Sequence, residues 1–174
     1  MKNLQYPIGK FERVDKASDE QRAEWIKQIE ETPTELRSAV EGLSAEQLDT
    51  PYRPGGWTVR QVVHHLPDSH MNSYIRFKLA LTEENPIIKP YMEDRWAQLN
   101  DYHVTPVEVS LTLLESLHQR WVTLLSSLQD TQFSLTFTNP ESGALSLETA
   151  LGLYAWHGRH HIAQITSLRR RMGW

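Results

Sequence analysis

The chain has 174 residues, of which 39% are hydrophobic and 23% charged; at this length roughly 70% of the unfolded surface can be buried, so residues 1–174 are expected to form one domain around one core. A net charge of −4 offers no basic field to a nucleic acid or an anionic membrane, and no apolar run approaches the ~18 residues of a membrane span. Cysteine is absent while eight histidines are present, which excludes disulfides, thiolate metal sites and a cysteine nucleophile.

Residues 1–17 read as an irregular lead-in. Its first ten residues lack the basic-then-apolar pattern of a signal peptide, so the expected location is the cytoplasm. Ser18-Asp19-Glu20-Gln21 reads as a capping box that opens a first helix. Ile26, Ile29, Leu36, Val40 and Leu43 then continue one apolar seam with Pro33 filling the gap. We therefore expect one helix kinked at Pro33, rather than a second helix starting with Thr32 as its cap. Ser44-Ala45-Glu46-Gln47 predicts a short turn of helix, and Thr50-Pro51-Tyr52-Arg53-Pro54-Gly55-Gly56 a loop.

Thr58, with Gln61 three residues on, opens a second helix that runs to about Thr82. Its apolar side is Val59, Val62, Val63, Leu66, Tyr74, Phe77 and Leu81. Pro67 lies inside it and must cost a backbone hydrogen bond or bend the helix. Residues 83–104 form a long, partly ordered connection with Trp96 as its expected anchor. Thr105-Pro106-Val107-Glu108 predicts a capping box with proline at the first helical position. The third helix then carries Leu113, Leu114, Leu117, Trp121, Leu124, Leu125 and Leu128. Weak alternation around Asn139-Pro140-Glu141-Ser142-Gly143 predicts a small hairpin. Ser146-Leu147-Glu148-Thr149 opens a fourth helix to about Arg171, where Arg169-Arg170-Arg171 read as cations complementing the helix dipole. The pattern is all-α: a four-helix bundle with a short extra helix and a small hairpin, whose connection over 83–104 is long enough for a crossover.

Chemistry concentrates on the fourth helix. At 100° per residue, with His157 at zero, His161 lies at about 40° and Ala150, Leu168, Tyr154, Leu147 and Ile165 at about 20–80°. His160 falls at about −60°, away from the centre of this arc. Two imidazoles at i, i+4 in an apolar stripe suit a shared divalent metal, because a buried unpaired polar group costs ~1–3 kcal/mol. The alternative is two core histidines satisfied separately by backbone carbonyls or water. Gly158 stands where the zinc peptidases' HExxH motif has its glutamate, so this helix supplies no such general base. A third ligand would come from the second helix, where periodicity leaves His64, His65 and His70 open, with His70 at least equal to His65. Asp68 reads as a helix-surface carboxylate, with ligand orientation or proton relay as its catalytic alternative; Gln164 reads the same way.

Beyond these patterns the chain resembles the DinB-like superfamily of metalloenzymes, and within it the YfiT group of bacterial metal-dependent hydrolases. The matching runs are Tyr6-Pro7-Ile8-Gly9, Leu48-Asp49-Thr50-Pro51-Tyr52-Arg53, Gly55-Gly56-Trp57-Thr58-Val59-Arg60-Gln61-Val62-Val63-His64-His65-Leu66, Asp68-Ser69-His70-Met71-Asn72-Ser73-Tyr74, Trp156-His157 and His160-His161-Ile162-Ala163. They cover nearly the whole length. The resemblance implies an up-down-down-up bundle, a homodimer, and one zinc or nickel ion per chain held by His65, His157 and His161. It implies a hydrolase in which metal-activated water attacks an electrophilic small molecule, with no nucleic-acid or membrane partner. A metal-dependent thiol S-transferase is the alternative, with a low-molecular-weight, bacillithiol-type thiol bound at the same open site. A non-catalytic metal-binding module is the third reading.

Overall fold

Short polar side chains start most of the helices of the computed structural model, which describes residues 3–174; Met1 and Lys2 of the expected lead-in lie outside the described residues. Helix α1 (Asp19–Val40) opens on Ser18, whose hydroxyl accepts from the Gln21 amide, and runs unbroken through Pro33. The short α2 (Ala45–Leu48) and the long α3 (Val59–Thr82) both open on reciprocal boxes, Ser44 with Gln47 and Thr58 with Gln61. The crossover carries two single-turn helices, α4 (Glu93–Trp96) and α5 (Asp101–Val104). Helix α6 (Val107–Ser126) departs from expectation, because no side chain caps it and Pro106 stands at the cap with an extended ψ of 137°. The Glu108 carboxylate that a capping box would use is taken instead by Arg37 of α1, at 2.8 Å. After a 3₁₀ turn, Asp130–Ser134, strands β1 (Thr136–Asn139) and β2 (Gly143–Ser146) form the antiparallel hairpin. Helix α7 (Leu147–Met172) is capped by Ser146 and stopped by Gly173 at φ +71°.

Cross-helix hydrogen bonds give the directions. Gln28 meets Arg159 and Ala39 meets Arg169, so α1 and α7 are parallel. His64 meets Ser110 and His70 meets His118, so α3 and α6 are parallel. The His65 ring packs on His161 and the His70 ring on Tyr154, and Arg37 and Ile29 meet Glu108 and His118 of α6 in the same descending sense, so the two pairs oppose each other. The bundle is up-down-down-up, and the crossover exists because α3 must be followed by a parallel neighbour.

Three expected details differ. Trp96 is 36% exposed, its ring tilted at 45° against Tyr91, and Ile88, Ala97 and Tyr102 anchor the crossover instead. The Gln61 side chain donates to the Ala97 carbonyl there. Leu113 is 40% exposed, and the inward stripe of α6 is Leu111, Leu114, His118, Trp121 and Leu125. Two of the terminal arginines tie elements together: Arg169 donates to the Ala39 and Glu41 carbonyls at the end of α1, and Arg171 to the Tyr52 carbonyl.

The apolar interior is two clusters. One holds Leu36, Val59, Val62, Leu66, Leu114, Ile162 and Ile165. The other holds Ile29, Phe77, Trp121, Phe133, Phe137, Leu147 and Leu151. Along every long helix the gap between the clusters is occupied by buried polar residues: Thr32, His70, His118 and, on α7, the stretch containing His157 and His161. Among the described residues no helix is long and apolar enough to cross a membrane.

Candidate metal centre

Helix α7 lies unusually close to α1 where it carries the histidines. A Cβ on Gly158 would stand 2.7 Å from Thr32 Oγ1 and 2.8 Å from its Cγ2, so no side chain fits there. That contact turns the neighbouring positions His157 and His161 toward α3. His65, buried at the α3–α7 junction, answers them. His157 Nε2 is 3.2 Å from His161 Nε2 and 3.3 Å from His65 Nε2. The ligand atoms of these three residues form one cluster, all within 4.8 Å of one another.

Three imidazole nitrogens this close cannot satisfy one another, since a single proton bridges only one pair. At His161 the proton position is set from behind. The amide nitrogen of Gln164 donates to the Gln5 carbonyl at 2.9 Å, so its oxygen faces His161 and accepts from Nδ1–H at 2.9 Å. His161 Nε2 is therefore a bare lone pair. Protonating the cluster is opposed by its surroundings. Burial, reinforced by the neighbouring imidazoles, holds His157 and His161 well below the ordinary imidazole range, and burial takes His65 down to about 4. Nitrogen ligands about 2.05 Å from a tetrahedral centre stand about 3.3 Å apart, which is the spacing observed on both sides of His157 Nε2. The donor set, the spacing and the neutral rings fit one divalent metal ion.

The cluster floors an open pocket of about 540 Å³, within the range of small-molecule sites. Trp57 walls it, its ring 4.7 Å from His65 and near-parallel to His161 at 6.4 Å. Arg53, Glu93 and Asp94 line it with charges of both signs, and Trp156 with Gln5 and Tyr6 completes the other side. Gly56 keeps the loop tight, since a Cβ there would be 2.7 Å from Arg53 Cγ. The N-terminal segment is held on α7 by the Gln5–Gln164 bond and by Trp156 Nε1–H donating to the Gly9 carbonyl.

The other candidate residues lie elsewhere. His64 turns away and pairs with Ser110 at 2.7 Å. His70 does face inward, as its periodicity indicates, but stands behind His157, its Nε2 3.0 Å from His157 Nδ1. His160 is buried against Trp156, with ring centroids 4.4 Å apart, and its Nε2 meets the Gln164 amide at 3.0 Å. Asp68 is half-buried and not among the residues lining this pocket; it accepts from the Tyr102 hydroxyl, and partial burial raises its pKa. His118, 2% exposed and bonded to His70, was hidden in a leucine-rich stripe. The only signal was a histidine at an inward position of α6.

Fold and centre together define a four-helix bundle with a three-histidine site of metal-binding type. The chain belongs to the DinB superfamily, whose family model matches residues 28–165. It is 60% identical, over the full length of both chains, to a protein of Bacillus mycoides named "Putative metal-dependent hydrolase". Relatives of the same name in Bacillus thuringiensis and Bacillus anthracis are 60% and 59% identical, again over the full length of both chains. The solved structure of YfiT from Bacillus subtilis, described as "a probable metal-dependent hydrolase with an unusual four-helix bundle topology", is 57% identical, covers 99% of each chain and superposes with a TM-score of 0.97. TT2238, a four-helix bundle protein, shares the fold at 20% identity and a TM-score of 0.55, over 81% of this chain and 94% of its own.

Proposed function

We propose that this protein is a metal-dependent hydrolase of a small polar molecule, with His65, His157 and His161 holding one Zn2+ or Ni2+ per chain. The observation that carries the reading is the convergence of three neutral imidazole Nε2 atoms on the floor of an open, polar pocket. The names of its full-length relatives point the same way. When bound, a divalent ion on three neutral imidazoles supplies Lewis acidity and a nucleophile usable near neutral pH.

The chain's own residues do the rest. Gln164 holds the His161 ring by its Nδ1–H. Trp57 packs against His65 and forms an apolar wall on that side of the pocket. The charged mouth, Arg53 with Glu93 and Asp94, suits a polar substrate. Asp68, tied to Tyr102 and outside the pocket, has no part in this chemistry.

Metal analysis after stripping and reloading is expected to find about one Zn2+ or Ni2+ per chain, and near none in His157→Ala. Turnover of a panel of esters and amides is expected to disappear with a chelator and return with metal. A folded wild-type protein that takes up neither ion sinks the reading. Turnover that requires an added low-molecular-weight thiol replaces hydrolysis by S-transfer at the same centre.

A further inference from the structure

Helix α1 contains a carbonyl that its own helix cannot use. The Ile29 oxygen would ordinarily accept from the amide of residue 33, but Pro33 has no N–H. Its place is taken across the core by His118, whose Nδ1 lies 2.6 Å from that oxygen. From there the contacts continue inward: His118 Nε2 is 2.7 Å from His70 Nδ1, and His70 Nε2 is 3.0 Å from His157 Nδ1. The His70 and His118 rings are 13° from parallel with centroids 4.9 Å apart, which fits an edge-to-edge hydrogen bond. The rings of Trp121 and Tyr154 stand at 81° and 84° to His70 and fix its plane.

Only one proton arrangement satisfies this chain. A carbonyl can only accept, so His118 carries its proton on Nδ1. A neutral imidazole has one N–H, so His118 Nε2 accepts and His70 carries its proton on Nδ1. By the same step His70 Nε2 accepts from His157 Nδ1–H. His157 Nε2 is then bare, and it is the atom aimed at His65 and His161. The rings are neutral: their hydrogen-bond and ring partners among the described residues are the Ile29 carbonyl, other imidazoles, Trp121 and Tyr154, with no carboxylate to hold a second proton. The chain ends on a carbonyl, which takes up no proton at neutral pH, so it orients and does not conduct.

We infer that the Ile29 carbonyl, released by Pro33, sets the tautomer of His157 through His118 and His70, making these two histidines positioning residues for metal binding. The inference rests on reading His157 as a ligand. It assigns His157 the kind of support that Gln164 gives His161, by a longer route, while His65 Nδ1 has no hydrogen-bond partner among the described residues.

Two measurements test it. Nitrogen-15 spectra of the metal-free wild-type protein at neutral pH are expected to show His118, His70 and His157 all neutral and protonated at Nδ1. A His157 ring protonated at Nε2 overturns the inference, whatever any variant does. Competition titration with Zn2+ is expected to show binding weakened 10–100-fold in His118→Phe, the usual effect of losing an outer-shell partner. His118→Gln should recover most of that loss, because its amide can donate to Ile29 and accept from His70. Helix content and unfolding midpoint are followed in parallel, so that packing loss is separated from affinity loss. A folded His118→Phe protein within about twofold of wild type for Zn2+ overturns the inference and leaves the metal reading intact. Wild type that binds no Zn2+ overturns the metal reading and the ligand half of the inference together.

Discussion

At one end of the bundle Leu36, Val62, Leu66, Leu114 and Ile165 pack as an aliphatic cluster; at the other, Phe77, Trp121, Phe133 and Phe137 pack with Leu147 and Leu151. Between them the four long helices contribute Thr32, His70, His118, His157 and His161 at one level. The end clusters are what a bundle needs in order to fold, since burying apolar surface is non-directional and tolerant of shape. The middle level is directional throughout. Each ring has one donor and one acceptor, and reversing one breaks its neighbours. Stability is concentrated at the ends, and chemistry in the layer that the ends hold shut.

That contrast can be broken in four ways. Phe77→Ala removes a fully buried ring from the aromatic end and is expected to cost about 3–5 kcal/mol in denaturant unfolding, with metal stoichiometry of the folded fraction unchanged. If metal binding fell in step with stability, ends and middle would not be separable. Gly158→Ala forces a methyl against Thr32 and is expected to cost about 1–3 kcal/mol, as overpacking does; a change within about 0.5 kcal/mol, the range of neutral surface substitutions, would mean the α1–α7 approach is looser than described. Acidification reads the middle layer directly. His65 and His118 titrate at about 4 in the folded protein because they are buried, so the unfolded chain, at about 6.5, takes up protons first. Stability of the metal-free protein is therefore full above about pH 6.5 and is lost as pH falls toward 4, with a slope of up to about 1.4 kcal/mol per pH unit for each such histidine. Denaturation midpoints that stay level from pH 7 to 5 would remove the buried neutral histidines from the account. His160→Ala is the smallest expected effect: some loss of stacking on Trp156, with metal still bound at one per chain. Loss of the metal in that variant would reverse the assignment of the α7 register.

The capping residues Ser18, Ser44, Thr58 and Ser146 and the loop glycines were legible in the sequence because they act locally. So was the inward pair on α7, because i, i+4 spacing and the apolar stripe agree. The choice of His65 over His70 was not legible from periodicity. Both face the interior, and which one reaches the shared centre depends on the offset between α3 and α7, which no single helix encodes. The resemblance to the YfiT group supplied what periodicity did not. His118 was missed for a related reason: its meaning comes from a carbonyl on α1, 89 residues away. Trp96 misled because bulk suggests an anchor, whereas the crossover is fastened next door, where Ala97 is buried and its backbone carbonyl accepts from Gln61.

The parallel pairing of α1 with α7 has a kinetic consequence. Its fastening contacts join residues 126 to 131 positions apart, such as Arg22 with Glu148, Gln28 with Arg159 and Ala39 with Arg169. An up-down-up-down bundle can zip from hairpin to hairpin, but this one cannot close until its last helix exists, and long loop closures slow folding. During synthesis the first helix can meet α6 earlier, but the side that faces α7 stays uncovered until nearly the whole chain has emerged. Two of the three clustered histidines, His157 and His161, arrive on that final helix, so the centre is assembled in the same event that completes the fold.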